Sequence, residues 1–157
     1  MDYITFPAQS DIGNAGNLLY FSNMLNWLFG KAKSSILIAD DDPAIRSLVK
    51  DILDTQGYQV ETVGDGQEAI KLLGRKRFDL IILDVHMPRL EGPQALEVIR
   101  LMPGCKNMGV IILSLEGMMD TLLDACNKGI YAYIAKPFTP ATLIGKVNAY
   151  FAGLKKI

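Results

Sequence analysis

Two hydrophobic rhythms alternate along most of this chain. From Ser34 onward, short apolar runs of strand length give way to stretches whose apolar positions recur every three or four residues. Gly, Pro, Asn or Asp separates them. The pattern predicts a strand over Ser35 to Ala39, then a helix from Pro43 to Thr55 with Asp42 as N-cap and Gly57 as its stop. A strand over Tyr58 to Val63 and a short helix from Asp65 to Leu73, ended by Gly74, follow. Next come a strand over Phe78 to Leu83 and a helix from Gly92 or Pro93 to Leu101, stopped by Pro103-Gly104. The last units are a strand over Gly109 to Ser114, a helix from Met118 to Asn127, a strand over Tyr131 to Ala135, and a helix from Pro140 to about Phe151 capped by Thr139. The first, third and fourth strands read as continuous apolar runs, as expected when helices cover both faces of a sheet. Strands that alternate with helices require right-handed crossovers. The expected fold class is α/β, a doubly wound parallel sheet.

Residues 1–33 follow a different pattern. Residues 2–16 are polar and carry Pro7, Gly13 and Gly16, which reads as an irregular arm. Asn17 is positioned to cap an amphipathic helix over about residues 17–29, with Gly30 as its stop. Leu18, Phe21, Leu25 and Leu28 share one face, flanked by Tyr20, Met24 and Trp27, while Ser22, Asn23 and Asn26 form a narrow polar stripe. An apolar face that wide calls for a protein surface, either its own domain, a partner, or a second copy in a homo-oligomer. The expected organisation is an N-terminal extension over 1–33, a domain over 34–153 and a tail over 154–157.

Composition narrows the class. At 157 residues, half of them apolar, the chain is long enough for one full core. A formal net charge of −1 gives no electrostatic reason to expect nucleic acid. The apolar stretch Leu18 to Phe29 is shorter than the roughly 20 residues of a membrane span, and no Lys or Arg precedes it as in a signal peptide. Cys105 and Cys126 lack CxxC spacing and a histidine cluster, so they read as reduced thiols rather than zinc ligands. A cytoplasmic protein is expected.

The candidate chemistry lies where strands end. The run Ile36 to Ala39 delivers Asp40, Asp41 and Asp42; Phe78 to Leu83 delivers Asp84; Tyr133 to Ala135 delivers Lys136. In an open α/β sheet the carboxyl edge is where ligands bind. Acids and one lysine from separate strands suit a divalent cation and a phosphoryl group. Asp42 alone is explained as a helix cap, but Asp84 has no helix to cap.

The pieces Ile36-Leu37-Ile38-Ala39-Asp40-Asp41-Asp42-Pro43, Asp65-Gly66-Gln67-Glu68-Ala69, Leu83-Asp84-Val85-His86-Met87-Pro88 with Gly92, Ile112-Leu113-Ser114 and Lys136-Pro137-Phe138 resemble, in order and spacing, the receiver domain of two-component response regulators. That resemblance implies a flavodoxin-like five-stranded sheet in the order 2-1-3-4-5. It implies Asp84 as phospho-acceptor, with Mg²⁺ held by Asp41, Asp84, the backbone carbonyl of His86 and, through a water, Asp40. Lys136, Ser114 and Tyr133 would be the catalytic and switch residues, and the Lys136-Pro137 bond would be cis. The side chain of His86 and Glu116 would tune dephosphorylation. The implied partners are a histidine kinase or histidine phosphotransfer protein as donor and a downstream target protein. The target would be read by the face of the fourth predicted helix, with Met118, Met119, Leu122 and Leu123, and its neighbours. No turnover enzyme is implied beyond self-phosphorylation and self-dephosphorylation.

Two departures matter. Leu115 stands where the family carries a small residue, which motivates an alternative: a receiver-fold interaction module that works without phosphorylation. Tyr131-Ala132 replaces an acidic pair common in receivers of winged-helix transcription factors. A third class, an aspartate-nucleophile phosphatase, would need Thr or Val two positions after Asp42, where Ala44 stands.

Overall fold

The structure is a computed structural model and describes residues 33–115 and 129–154. The expected N-terminal helix over 17–29, the helix from Met118 to Asn127, Glu116 and the tail after Leu154 lie outside the described residues. Among the described residues the elements run β1 (Ser35–Ala39), α1 (Pro43–Thr55), β2 (Gln59–Val63), α2 (Gly66–Leu73), β3 (Leu80–Asp84), α3 (Gly92–Leu101), β4 (Gly109–Leu115), β5 (Ala132–Lys136) and α4 (Pro140–Leu154).

The five strands form one sheet in the order β2-β1-β3-β4-β5, every neighbouring pair parallel. Alternation along each strand sorts the core into two layers. Leu37, Ala39, Ile81, Leu83, Val110 and Ile112 pack with Ala69 and Leu73 of α2 and Ala95, Leu96 and Ile99 of α3. Ile36, Ile38, Leu80, Ile82, Ile111 and Leu113 pack with Val49 and Leu53 of α1 and Leu143 and Val147 of α4. The expected doubly wound sheet is therefore present, and the continuous apolar strands are those buried on both faces.

Local signals set the helix starts. The Asp42 side chain accepts from the N–H of Ala44 at 2.8 Å, with Pro43 at the first helical position. The Asp65 side chain caps α2 by accepting from the N–H of Glu68 at 2.8 Å. The Thr139 hydroxyl accepts from the N–H of Thr142 at 3.1 Å at the start of α4. Arg100, at the end of α3, donates to the carbonyls of Cys105 at 3.0 Å and Met108 at 2.8 Å and also to that of Gly129. One guanidinium thereby satisfies acceptors in two loops, although burial lowers its pKa.

Several boundaries differ from the expected ones. Strand β3 covers Leu80–Asp84 rather than Phe78 to Leu83, β4 runs on to Leu115, and β5 covers Ala132–Lys136 rather than Tyr131 to Ala135. A ladder is made of backbone groups, so it continues past the last apolar side chain while register holds. Asp84 pairs with Leu113, and Lys136 with Leu115. Helix α4 likewise extends beyond Phe151 to Leu154.

The topology makes a crevice. The helix that follows β1 packs in the second layer, whereas the helix that follows β3 packs in the first. Adjacent strands whose exits diverge leave an opening at their carboxyl ends. That opening lies where Asp40, Asp41 and Asp84 emerge.

The central position of Ile82, fully buried between β1 and β4, sets a stability prediction. Ile82→Ala should lower the unfolding free energy by about 2–5 kcal/mol, seen as a lower urea midpoint at unchanged slope.

Candidate functional site

The site is built at the ends of three strands. Asp40 directly follows β1, Asp84 closes β3 and Lys136 closes β5. By alternation these three fall on the face of Ile38, Ile82 and Ile134. Lys136 reaches past β4 so that its Nζ donates to Asp40 Oδ2 at 2.6 Å and to Asp84 Oδ1 at 2.9 Å. These contacts join residues 96 and 52 positions apart in the chain. The Lys136-Pro137 bond that follows is cis, as the resemblance implied.

The three acids differ in their environments. Asp40 is fully buried, and both its carboxylate oxygens have partners: Oδ1 accepts from the N–H of Asp42 at 2.9 Å and Oδ2 takes the Lys136 ammonium. Its backbone is also held, because its carbonyl accepts from Arg46 Nη1 at 2.6 Å. Asp84 is nearly buried. Asp41 is exposed and its carboxylate has no partner among the described residues. One oxygen from each of the three lies within 4.8 Å of the others.

This donor set fits a hard divalent cation. Three carboxylates and one ammonium carry a formal charge of −2, and every available ligand atom is oxygen. Asp41 is the carboxylate free to take a cation without losing another contact.

Burial pushes the Asp84 carboxyl above the ordinary carboxylate range. The Lys136 hydrogen bond opposes this, and the charges of Asp40 and Asp41 add to it. Burial alone would lower the pKa of Lys136, but its bonds to Asp40 and Asp84 outweigh that and hold it above its ordinary value. The ammonium therefore stays charged at neutral pH.

The remaining expected residues are placed as follows. Ser114 is buried on β4, one residue beyond the partner of Asp84, and its hydroxyl reaches only the Leu115 carbonyl at 3.4 Å. Tyr133 is half-buried on β5, and its hydroxyl is buried with no hydrogen-bond partner among the described residues. The His86 side chain is exposed. Leu115 pairs with Lys136 in the ladder, points outward with 57% exposure, and does not separate Lys136 from Asp84. Arg46 and Arg89 were not foreseen. Arg46 sits six residues after Asp40 in the first turn of an ordinary amphipathic helix, a position that carries no chemical signal by itself. Arg89 ion-pairs with Asp65 and Glu68, and no sequence signal marks that pairing.

A family profile described as the response regulator receiver domain matches residues 36–148. The chain is 33% identical over 120 residues to the chemotaxis protein CheY-3 of Vibrio cholerae, covering 76% of this chain and 92% of that one. It is 31% identical to the probable transcriptional regulator ycf29 of Porphyra purpurea, covering 73% of this chain but only 54% of that protein. Among solved structures it is similar to chemotaxis response regulator CheY4 of Vibrio cholerae, with a TM-score of 0.71 and 31% identity over 75% of this chain and 98% of that one. It is also similar to the receiver domain of the sensor histidine kinase PA1611 of Pseudomonas aeruginosa, which has a magnesium ion coordinated in its active-site cleft. That match has a TM-score of 0.70 and 28% identity over 77% of this chain and 99% of that one.

A raised Asp84 pKa means the folded state binds that proton more tightly than the unfolded chain does. Ionised Asp84 therefore costs stability at neutral pH, and the cost disappears as pH falls from the raised folded value to the ordinary carboxylate value. In metal-free buffer at pH 7, Asp84→Asn should melt above wild type by on the order of 3 °C. The gap should close as the pH is lowered through that window, followed by thermal unfolding of both proteins.

Proposed function

The chain belongs to the response regulator receiver domain family, and from that premise we propose that it accepts a phosphoryl group on Asp84 and signals by phosphorylation-dependent protein binding. Receiver domains interact with histidine kinases and with downstream targets. For this chain the donor would be the phosphohistidine of a histidine kinase or a histidine phosphotransfer protein, and the setting cytoplasmic. Among the described residues no helix is long and apolar enough to cross a membrane.

The observation that carries this reading is the Lys136 ammonium held against both Asp40 and Asp84, with Asp41 close by and unengaged. Receiver domains bind Mg²⁺ in an acidic active site. Here the ion would be held by Asp41, Asp84 and the His86 carbonyl, with Asp40 acting through a water because its own oxygens are already engaged. When bound, Mg²⁺ would supply positive charge to the phosphoryl oxygens and offset repulsion among the three acids.

In the transfer, an Asp84 carboxylate oxygen attacks phosphorus in line, an acyl phosphate bond forms and the phosphorus–nitrogen bond of the donor breaks. The leaving imidazole nitrogen takes up a proton. Lys136 is poised to shift a hydrogen bond from Asp84 to an equatorial phosphoryl oxygen. The Ser114 hydroxyl, with only a long internal contact, is free to donate to another. Movement of Ser114 would draw the following loop toward the site. Tyr133, whose hydroxyl has no hydrogen-bond partner among the described residues, would change rotamer in response. The His86 side chain and Glu116 would tune loss of the phosphoryl group.

Leu115 motivates the alternative of a phosphorylation-independent module, but its outward position leaves the Lys136–Asp84 contact intact. The two readings diverge in one experiment. With acetyl phosphate and Mg²⁺, wild type should gain about 80 Da by mass spectrometry as a base-labile, hydroxylamine-sensitive adduct. Asp84→Asn should gain none, and Lys136→Ala should be labelled far more slowly or not at all. Wild type that stays unlabelled with acetyl phosphate, phosphoramidate and a histidine kinase donor would favour the alternative.

A further inference from the structure

The loop that joins β3 to α3 carries His86 and is tied at its base by two backbone hydrogen bonds. The N–H of Val85 donates to Leu113 O at 3.1 Å, and the N–H of Gly92 donates to Val85 O at 2.9 Å. The approach at Gly92 is close enough that a Cβ there would stand 2.2 Å from the carbonyl oxygen of Asp84. Met87 is buried in the core, but His86, Pro88 and Arg89 are exposed.

Arg89 has a backbone shape that few residues adopt. Its φ is +66°, and the N–H of Leu90 donates back to Pro88 O at 2.7 Å across it. This is a γ-turn with a positive central φ, the rarer and more strained form. Glycine would take it at no steric cost. Arginine offers the backbone nothing here, so the side chain must account for the fit. Its guanidinium forms an ion pair with Asp65, whose side chain is fully buried, and a second with Glu68 Oε1 at 3.3 Å.

Both acids are already fixed from behind. Asp65 Oδ1 accepts from the N–H of Glu68 at 2.8 Å, and Glu68 Oε2 accepts from the N–H of Gly64 at 3.0 Å. Beside them Gly66 lies so near the loop that a Cβ would stand 2.7 Å from the Leu90 carbonyl oxygen. The α2 N-terminus is therefore a rigid abutment, and Arg89 ties the middle of the loop to it.

We infer that Arg89 is a positioning residue for the acidic site: by clamping the β3–α3 loop to Asp65 and Glu68 it fixes the backbone carbonyl of His86 for a cation. This rests on the reading of Asp84 as a magnesium-assisted phospho-acceptor. Residues that hold metal ligands in place without touching the metal strongly affect affinity, and a carbonyl on a loosened loop costs more to order when the cation binds.

The test compares full-length wild type with Arg89→Gly, which relaxes the turn and removes the clamp, and Arg89→Gln, which removes the charge at similar length. The readouts are magnesium affinity by isothermal titration calorimetry, well below each protein's melting temperature, and the rate of labelling by acetyl phosphate at limiting Mg²⁺. Both variants should bind magnesium about tenfold more weakly. Saturating Mg²⁺ should restore their labelling, and Arg89→Lys should recover most of the affinity. A folded Arg89→Gly or Arg89→Gln that binds magnesium as wild type does overturns the role of Arg89 alone. Wild type that binds no magnesium overturns the underlying reading, and this inference with it.

Discussion

A single ammonium group shared between two buried carboxylates organises the carboxyl edge of this sheet. Without Lys136, Asp40 and Asp84 would face one another out of water, and the charge of Asp40 would add unopposed to the cost of ionising Asp84. Lys136 offsets that repulsion but cannot cancel three acids. The residual negative charge lies on the open side, where Asp41 has no partner among the described residues. The fold thus leaves one carboxylate to solvent while it commits another entirely to structure. That asymmetry makes the edge a place to receive a cation rather than a closed ion-pair cluster.

The layers behind the site explain why so polar an edge is tolerated. Among the described residues, helices pack on both faces of the five-stranded sheet and hold β1, β3 and β5 in fixed register, so the acids are held in place. Asp40 is held at its carboxylate, by the N–H of Asp42 and by Lys136, and at its carbonyl, by Arg46. These interactions fix the position of Asp40 before any cation binds.

Much of this was legible in the sequence. The strands could be read because burial on both faces demands unbroken apolar runs, and the helix starts because Asp42 and Thr139 stand where orphan N–H groups need acceptors. Asp41, Asp84 and Lys136 stood out because each interrupts an apolar rhythm at a strand end. The boundaries slipped where polarity and backbone pairing part company: Asp84 and Lys136 read as loop residues but are the last rungs of their ladders. Arg46 and Arg89 could not be foreseen. Each acts through a contact with a distant or backbone partner, and a positive φ at a non-glycine residue leaves no trace in composition or spacing.

The long reach of Lys136 has a further consequence, for biosynthesis. A chain emerging from the ribosome presents all three acids well before its fifth strand exists, and the contact across 96 positions can close only after residue 136 has been released and β5 has docked. The half-made protein thus holds the negative charge without its counterweight. Completion of the reactive edge therefore coincides with completion of the sheet.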